Sequence, residues 1–139
     1  IIIAVGGGGL ISGAISWFQK RKKIVAVEPE NCPTLNVALK KGKPSNVSVS
    51  GVAASALGAK SIGNICFNLS KENQIESLVV SDDEIETARR LLWENHRIFV
   101  EPAGAAALAA IISGKYKPQT DEKLAVLICG ANPNIIPEF

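Results

Sequence analysis

Apolar residues in this chain come in short continuous runs, separated by segments of helical spacing or clusters of turn residues. Residues 1–5 (IIIAV) are β-branched, apolar and closed by glycine, which predicts a buried strand. From Leu10 to Gln19 the spacing is helical, and the basic run Lys20 to Lys23 ends it. IVAVEP (24–29) predicts a second buried strand. Pro29 and Pro33 break the chain, and TLNVALKKG (34–42) reads as a short helix with Gly42 after its last turn. Residues 43–52 are turn-rich, and 54–71 predict one or two short helices. ESLVVS (76–81) is a third strand. Ser81 then opens a helix that runs to Asn95. Glu84 stands at the capping-box spacing, and Asp82 and Asp83 place charge where the helix dipole favours it. Pro102 opens an alanine-rich helix, and KLAVLICGAN (123–132) is a fourth strand ending in a Cys-Gly turn.

Strands that alternate with helices and are apolar on both faces predict an α/β fold. It has three layers: a mostly parallel sheet with helices on both faces. Ligands of such sheets bind beyond the carboxyl ends of the strands. Three loops fall there: the glycines after the first strand, Glu28 after the second, and Cys129-Gly130 after the last.

Composition narrows the classes. The 139 residues have the size of one domain, and 47% are apolar, enough for a core. Net charge is +2 and only the run Lys20 to Lys23 is clustered, at a helix end where it complements the dipole. Aromatic residues, at 5%, are too few for a base-stacking surface, so nucleic acid is not expected as a partner. Cys32, Cys66 and Cys129 are scattered without CxxC spacing, which favours a reducing, cytoplasmic compartment over a disulfide framework. No apolar run is long enough to span a membrane and no secretory signal is visible. The chain begins with Ile inside a strand pattern and reads as a piece of a longer protein. The single histidine, His96, sits near the end of a polar helix. With no GxSxG turn either, a Ser-His-Asp hydrolase is unsupported.

The chemistry starts with Gly6, Gly7, Gly8 and Gly9. Each lacks a Cβ, so backbone N–H groups can approach an anion, and the next helix adds its positive end. A phosphate fits both features. The ATP-type loop requires GxxxxGK[ST], and no lysine follows here. A strict dinucleotide fingerprint fails as well, because Ile11 and Ser12 stand where the third glycine belongs. The looser set Gly7, Gly9 and Gly13 is present, however, and Glu28 ends the next strand where an acidic residue meets a ribose. On these residues alone a nicotinamide or flavin site stays open.

VGGGGLISG (5–13), VAVEPENC (25–32), ASALGAKSIG (54–63), VEPAGAAALAA (100–110) and LICGAN (127–132) decide between these readings. In sequence, order and spacing they resemble the serine/threonine dehydratases of the fold type II pyridoxal-phosphate enzymes, over nearly the whole chain. The resemblance implies that amides of Gly6 to Gly9, with Leu10, hold the cofactor phosphate. Cys129 matches the position facing the pyridine nitrogen, where a thiol leaves the ring largely unprotonated and suits elimination over transamination. Ala56 matches a position beside the cofactor where dehydratases tend to carry Ala and racemases Ser. Glu28 resembles the carboxylate of a cation site, for K+ or Mg2+, whose other ligands are backbone carbonyls of Gly6, Cys32, Leu57 and Ala59. Glu101 matches a place behind the ring, although a charge opening its helix accounts for it equally.

Two family motifs have no match: the SxKxRGA-like segment with the cofactor-bearing lysine, and the SSGNH-type loop that grips the substrate carboxylate. The expectation is therefore that residues 1–139 are one unit, the C-terminal portion of the cofactor-binding large domain, and that they catalyse nothing alone. The resemblance assigns the longer protein, as a homodimer, the β-elimination of L-serine or L-threonine to pyruvate or 2-oxobutyrate and ammonia. An amino-acid racemase, another lyase of the family, or a non-catalytic remnant are the alternatives.

Overall fold

The computed structural model describes residues 1–132; the last part of the expected single unit, 133–139, lies outside them. Three strands form one sheet among the described residues: β1 (Ile2–Ala4), β2 (Val25–Pro29) and β3 (Glu76–Val80), in the order β1-β2-β3. All pairs are parallel, with Ile3 beside Ala26 and Val27 beside Leu78. The helices are α1 (Gly9–Phe18), α2 (Thr34–Lys41), α3 (Ala54–Leu57), α4 (Asn64–Glu72), α5 (Asp82–His96) and α6 (Pro102–Ile112).

Two cores explain why the strands read as unbroken apolar runs. Successive strand side chains point to opposite faces. Ile3, Val5 and Ala26 join Ile11 and Ile15 of α1, Leu35 of α2 and Phe67 of α4 in one cluster. Ile2, Ala4, Val25 and Val27 join Ile85 and Leu92 of α5 and the alanines of α6 in the other. Each fully buried Ile, Val or Leu contributes about 1.5–3 kcal/mol. Helix α6 crosses all three strands and packs on α5. Its small side chains let it lie close, and Ala105, Ala106, Ala107, Ala109 and Ala110 are fully enclosed.

Helix α5 starts as expected. The Ser81 hydroxyl accepts from the Glu84 N–H at 3.2 Å, and the Glu84 carboxylate accepts from the Ser81 N–H at 2.7 Å. The one or two short helices expected over 54–71 are two, α3 and α4. The basic run departs from expectation. Arg21 serves the end of α1, donating to the carbonyls of Phe18 and Trp17 at 3.2 and 2.6 Å. Lys23 instead pairs with Glu76 of β3 at 2.9 Å and lies 4.8 Å from the centre of the Tyr116 ring.

The expected fourth strand forms only one bridge, Ile2 beside Val126. The Ile2 N–H donates to Ala125 at 2.8 Å, and the Leu127 N–H donates to Ile2 at 3.0 Å. Leu124, Val126 and Ile128 pack against the α6 core, whereas Ala125, Leu127 and Cys129 are exposed. A strand apolar on both faces requires cover on both, and here one side is covered. Between α5, α6 and this segment lies an open groove of about 460 Å³, lined by Leu92, Ile98, Leu108, Ile112, Val126 and Ile128.

Candidate functional site

The four glycines join β1 to α1, and they meet different demands. Gly8 has φ +91°, a left-handed conformation that disfavours any side chain. A Cβ built there would stand 2.5 Å from Cys66 Sγ and 2.8 Å from Ile62 Cδ1. The Gly8 carbonyl accepts from the Ser12 hydroxyl at 2.6 Å and from the Ser12 N–H at 3.0 Å. Gly6 is pressed against the Leu57 backbone, with a built Cβ 3.0 Å from Leu57 Cα. Gly7 and Gly9 have nothing within 4 Å of such an atom, and both are exposed, as is Leu10. Among the described residues, no acceptor takes the N–H of Gly6, Gly7, Gly8 or Gly9. Two glycines therefore fix the turn against the protein, while the open amides and the positive end of α1 face outward. That arrangement suits a small anion.

Glu28, in β2, is fully buried. Its carboxylate caps α2: Oε1 accepts from the Leu35 N–H at 2.7 Å, and Oε2 from the Asn36 N–H at 2.7 Å. Ser77 Oγ lies 3.5 Å from Oε2. The residue before α2 is Pro33, which offers no side-chain acceptor, so the cap comes from the neighbouring strand. Burial pushes the Glu28 carboxyl up to about 7, against the pull of the Leu35 and Asn36 N–H groups and of the Thr34 and Ser77 hydroxyls. Sealed in this way, Glu28 is closed to a ribose, which removes the dinucleotide reading at this position.

No sequence signal pointed to Thr34, yet it joins the expected cation ligands. Its hydroxyl is 3.1 Å from the Gly6 carbonyl and 3.1 Å from Glu28 Oε1. One hydroxyl proton serves only one of these oxygens at a time. The Cys32 carbonyl accepts from the Thr34 N–H at 3.0 Å, and the Leu57 carbonyl from the Ala59 N–H at 2.9 Å. Gly6, Glu28 and Cys32 thus gather around Thr34, the Leu57 backbone lies against Gly6, and Ala59 is tied to Leu57. Among the described residues Glu28 has no Lys or Arg partner, and no group of three His, Cys, Asp or Glu side chains could hold a metal. An oxygen-rich seat beside an unpaired buried carboxylate fits a hard cation. Burial, then the charges of Glu28 and Asp82, push the Cys32 thiol up, so the sulfur stays protonated.

Cys129 is exposed. The one bridge that ties its segment to β1, Ile2 beside Val126, lies three residues before it. Burial and the Glu101 carboxylate push its thiol up, so it is neutral near pH 7. The following carbonyl, of Gly130, accepts from the Glu101 N–H at 3.4 Å. Gly104 of α6 makes this approach possible, since a Cβ there would stand 2.7 Å from the Gly130 oxygen. Ala56 is exposed on α3, the helix that touches Gly6 through Leu57. His96 is exposed in the last turn of α5.

Residues 1–130 match the family of pyridoxal-phosphate dependent enzymes. The chain belongs to that family. Among curated proteins it is similar to the phenylserine dehydratase of Ralstonia pickettii, 30% identical over 135 residues, which is 95% of this chain and 41% of that protein. Among solved structures, a threonine deaminase from T.th. superimposes with a TM-score of 0.84 at 31% identity, over 97% of this chain and 49% of that one. Serine racemase of Dictyostelium discoideum gives 0.82 at 33% identity, over 96% and 44%. The α/β fold is that of the fold type II members, and the family's cofactor is pyridoxal phosphate. The chain spans between 27% and 44% of the length of the curated relatives it matches. No helix among the described residues is long and apolar enough to cross a membrane.

Proposed function

We propose that this chain is the C-terminal portion of the cofactor-binding large domain of a longer, homodimeric enzyme of the cytoplasm. That enzyme converts L-serine to pyruvate and ammonia, or L-threonine to 2-oxobutyrate and ammonia. The observation that carries this reading is that Gly6 and Gly8 pack the turn against the protein while the N–H groups of Gly6 to Gly9 have no acceptor among the described residues. Phenylserine, threonine and serine, named in the relatives, share an α-amino group and a β-hydroxyl.

In this reading the amides of Gly6 to Gly9, with Leu10, hold the cofactor phosphate, and the dipole of α1 favours its charge. When bound, pyridoxal phosphate supplies an electron sink for charge developing at the substrate α-carbon. Cys129 faces the ring nitrogen as a neutral thiol and brings no negative charge to hold a proton there. Ala56 leaves room beside the ring and offers no hydroxyl to move a proton. A monovalent or divalent cation sits among the oxygens of Glu28, Gly6, Cys32, Leu57 and Ala59, and it ties the glycine turn to α2 and α3. The lysine that bears the cofactor and the loop that binds the substrate carboxylate come from outside these 139 residues.

The gene-encoded protein, given pyridoxal phosphate and L-serine or L-threonine, should form keto acid, read with lactate dehydrogenase. Residues 1–139 alone should form none. The serine racemase relative favours a second reading, amino-acid racemisation, against which Ala56 weighs. D-amino acid without keto acid would replace the first reading with the second. Neither product from the gene-encoded protein would favour a non-catalytic remnant.

A further inference from the structure

We infer that Cys66 of α4 is a positioning residue that sets the height of the phosphate loop. The inference rests on the proposal that the four glycines hold a phosphate monoester. The Cys66 side chain is buried, and its Sγ lies 3.8 Å from the Oγ of Ser70, itself fully enclosed one turn along α4. This contact steadies the sulfur directly beneath Gly8. An atom in place of the missing Gly8 Cβ would stand 2.5 Å from Cys66 Sγ and 2.6 Å from Cys66 Cβ. The Gly8 α-carbon therefore rests on this side chain, with Ile62 beside it. From the other direction Ser12 holds the Gly8 carbonyl through both its hydroxyl and its N–H.

Gly8 is thus fixed from two sides, while a Cβ built at its neighbours Gly7 or Gly9 would meet nothing within 4 Å. The open amides can aim only where Gly8 lets them. A bulkier residue at position 66 lifts Gly8 and turns those amides away from a common centre. A smaller one leaves the turn slack. Cys66 acts through Gly8 and does not itself meet the ligand.

The test uses the gene-encoded protein freed of cofactor and titrated with pyridoxal phosphate and, separately, with pyridoxal, which lacks the phosphate. Cys66→Val should weaken pyridoxal phosphate about tenfold. Pyridoxal should change by less than about twofold, and the 31P resonance of the bound phosphate should move. Cys66→Ser, which keeps the size and the partner Ser70, should restore affinity to within about twofold. Cys66→Ala, a milder change should the valine variant not fold, should weaken pyridoxal phosphate about threefold and leave pyridoxal alone. Unchanged phosphate affinity in Val and Ala variants, or equal weakening of both ligands, would overturn the inference. A wild-type protein that binds neither ligand overturns the cofactor reading itself, and this inference with it.

Discussion

Two neighbouring segments of similar apolar sequence, β1 with its glycines and residues 123–130, end in opposite conditions. Ile2, Ile3, Ala4 and Val5 are all buried, with β2 beside them and a core on each face. At their carboxyl end the turn is fixed by Cys66, Leu57 and Ser12 before any ligand arrives. Residues 123–130 touch β1 at one bridge, cover one face and leave Ala125, Leu127 and Cys129 exposed. Apolar pattern thus sets a preference for strand, while a second edge and a second covered face make one. The same contrast separates the two halves of the proposed cofactor contact. The phosphate end is held by packing within this chain, and the ring end, at Cys129, hangs on the less supported segment.

The largest effect should come from disturbing the closed side at Gly8. Gly8→Ala adds left-handed strain and a collision with Cys66, together about 3–5 kcal/mol. Its thermal midpoint should fall by about 10 °C or more. Gly7→Ala and Gly9→Ala enter open space and should leave stability within about 0.5 kcal/mol of wild type. Calorimetry on the three variants checks this. Equal losses at all three positions would erase the division of the glycines.

Glu28 supports the same side one strand over. Glu28→Leu leaves the N–H groups of Leu35 and Asn36 without an acceptor, while the Thr34 hydroxyl keeps the Gly6 carbonyl, at a cost of about 2–3 kcal/mol. Glu28→Gln keeps one carbonyl and should cost about half as much. If a cation sits there, adding K+ or Mg2+ raises the wild-type midpoint and not that of Glu28→Gln. Urea titrations with and without the salts separate these outcomes.

Much of this could be read from the residues. The capping box at Ser81 and Glu84, the glycine turn and the run EPAGAAALAA all appear where local chemistry put them. Local chemistry failed where a residue's task is set by a distant element. Glu28 read, among other things, as a strand-end carboxylate open to a ribose, yet it is buried and caps α2. The one signal was Pro33, which leaves that helix without an acceptor of its own. Nothing in the residues singled out Thr34 or assigned Cys66 a task. Only the folded arrangement brings the first to Gly6 and the second under Gly8. The segment 123–130 has a correct strand pattern and lacks the pairing that completes it.

The contrast along 123–130 can be tested within the segment. Val126 packs on the α6 core, so Val126→Ala should cost about 1–2 kcal/mol. Leu127, next to it, is 37% exposed, and Leu127→Ala should cost less than about 0.5 kcal/mol. Similar losses at both positions would mean that the outer face is covered in solution and that the two segments differ less than their burial indicates. Denaturant midpoints at constant slope provide the measure.

The smallest effect concerns the cap of α5, at the carboxyl end of β3 on the closed side. Ser81→Ala removes the acceptor for the Glu84 N–H and should cost about 1 kcal/mol. The companion bond carries a pH signature. Burial alone would raise the Glu84 carboxyl, but the Lys115 ammonium at 2.6 Å and the Ser81 N–H outweigh it and hold the group below its usual 4.5. A carboxyl lowered by folding contributes its stability fully above 4.5, and loses it as pH falls from there through the lowered value. Glu84→Gln keeps an acceptor for the Ser81 N–H and should flatten that acid loss while lowering stability near neutral pH by less than about 1 kcal/mol. Unfolding measured from about pH 3 to pH 7 compares the two slopes. Identical slopes would assign the acid sensitivity of this end of the sheet to other carboxyls.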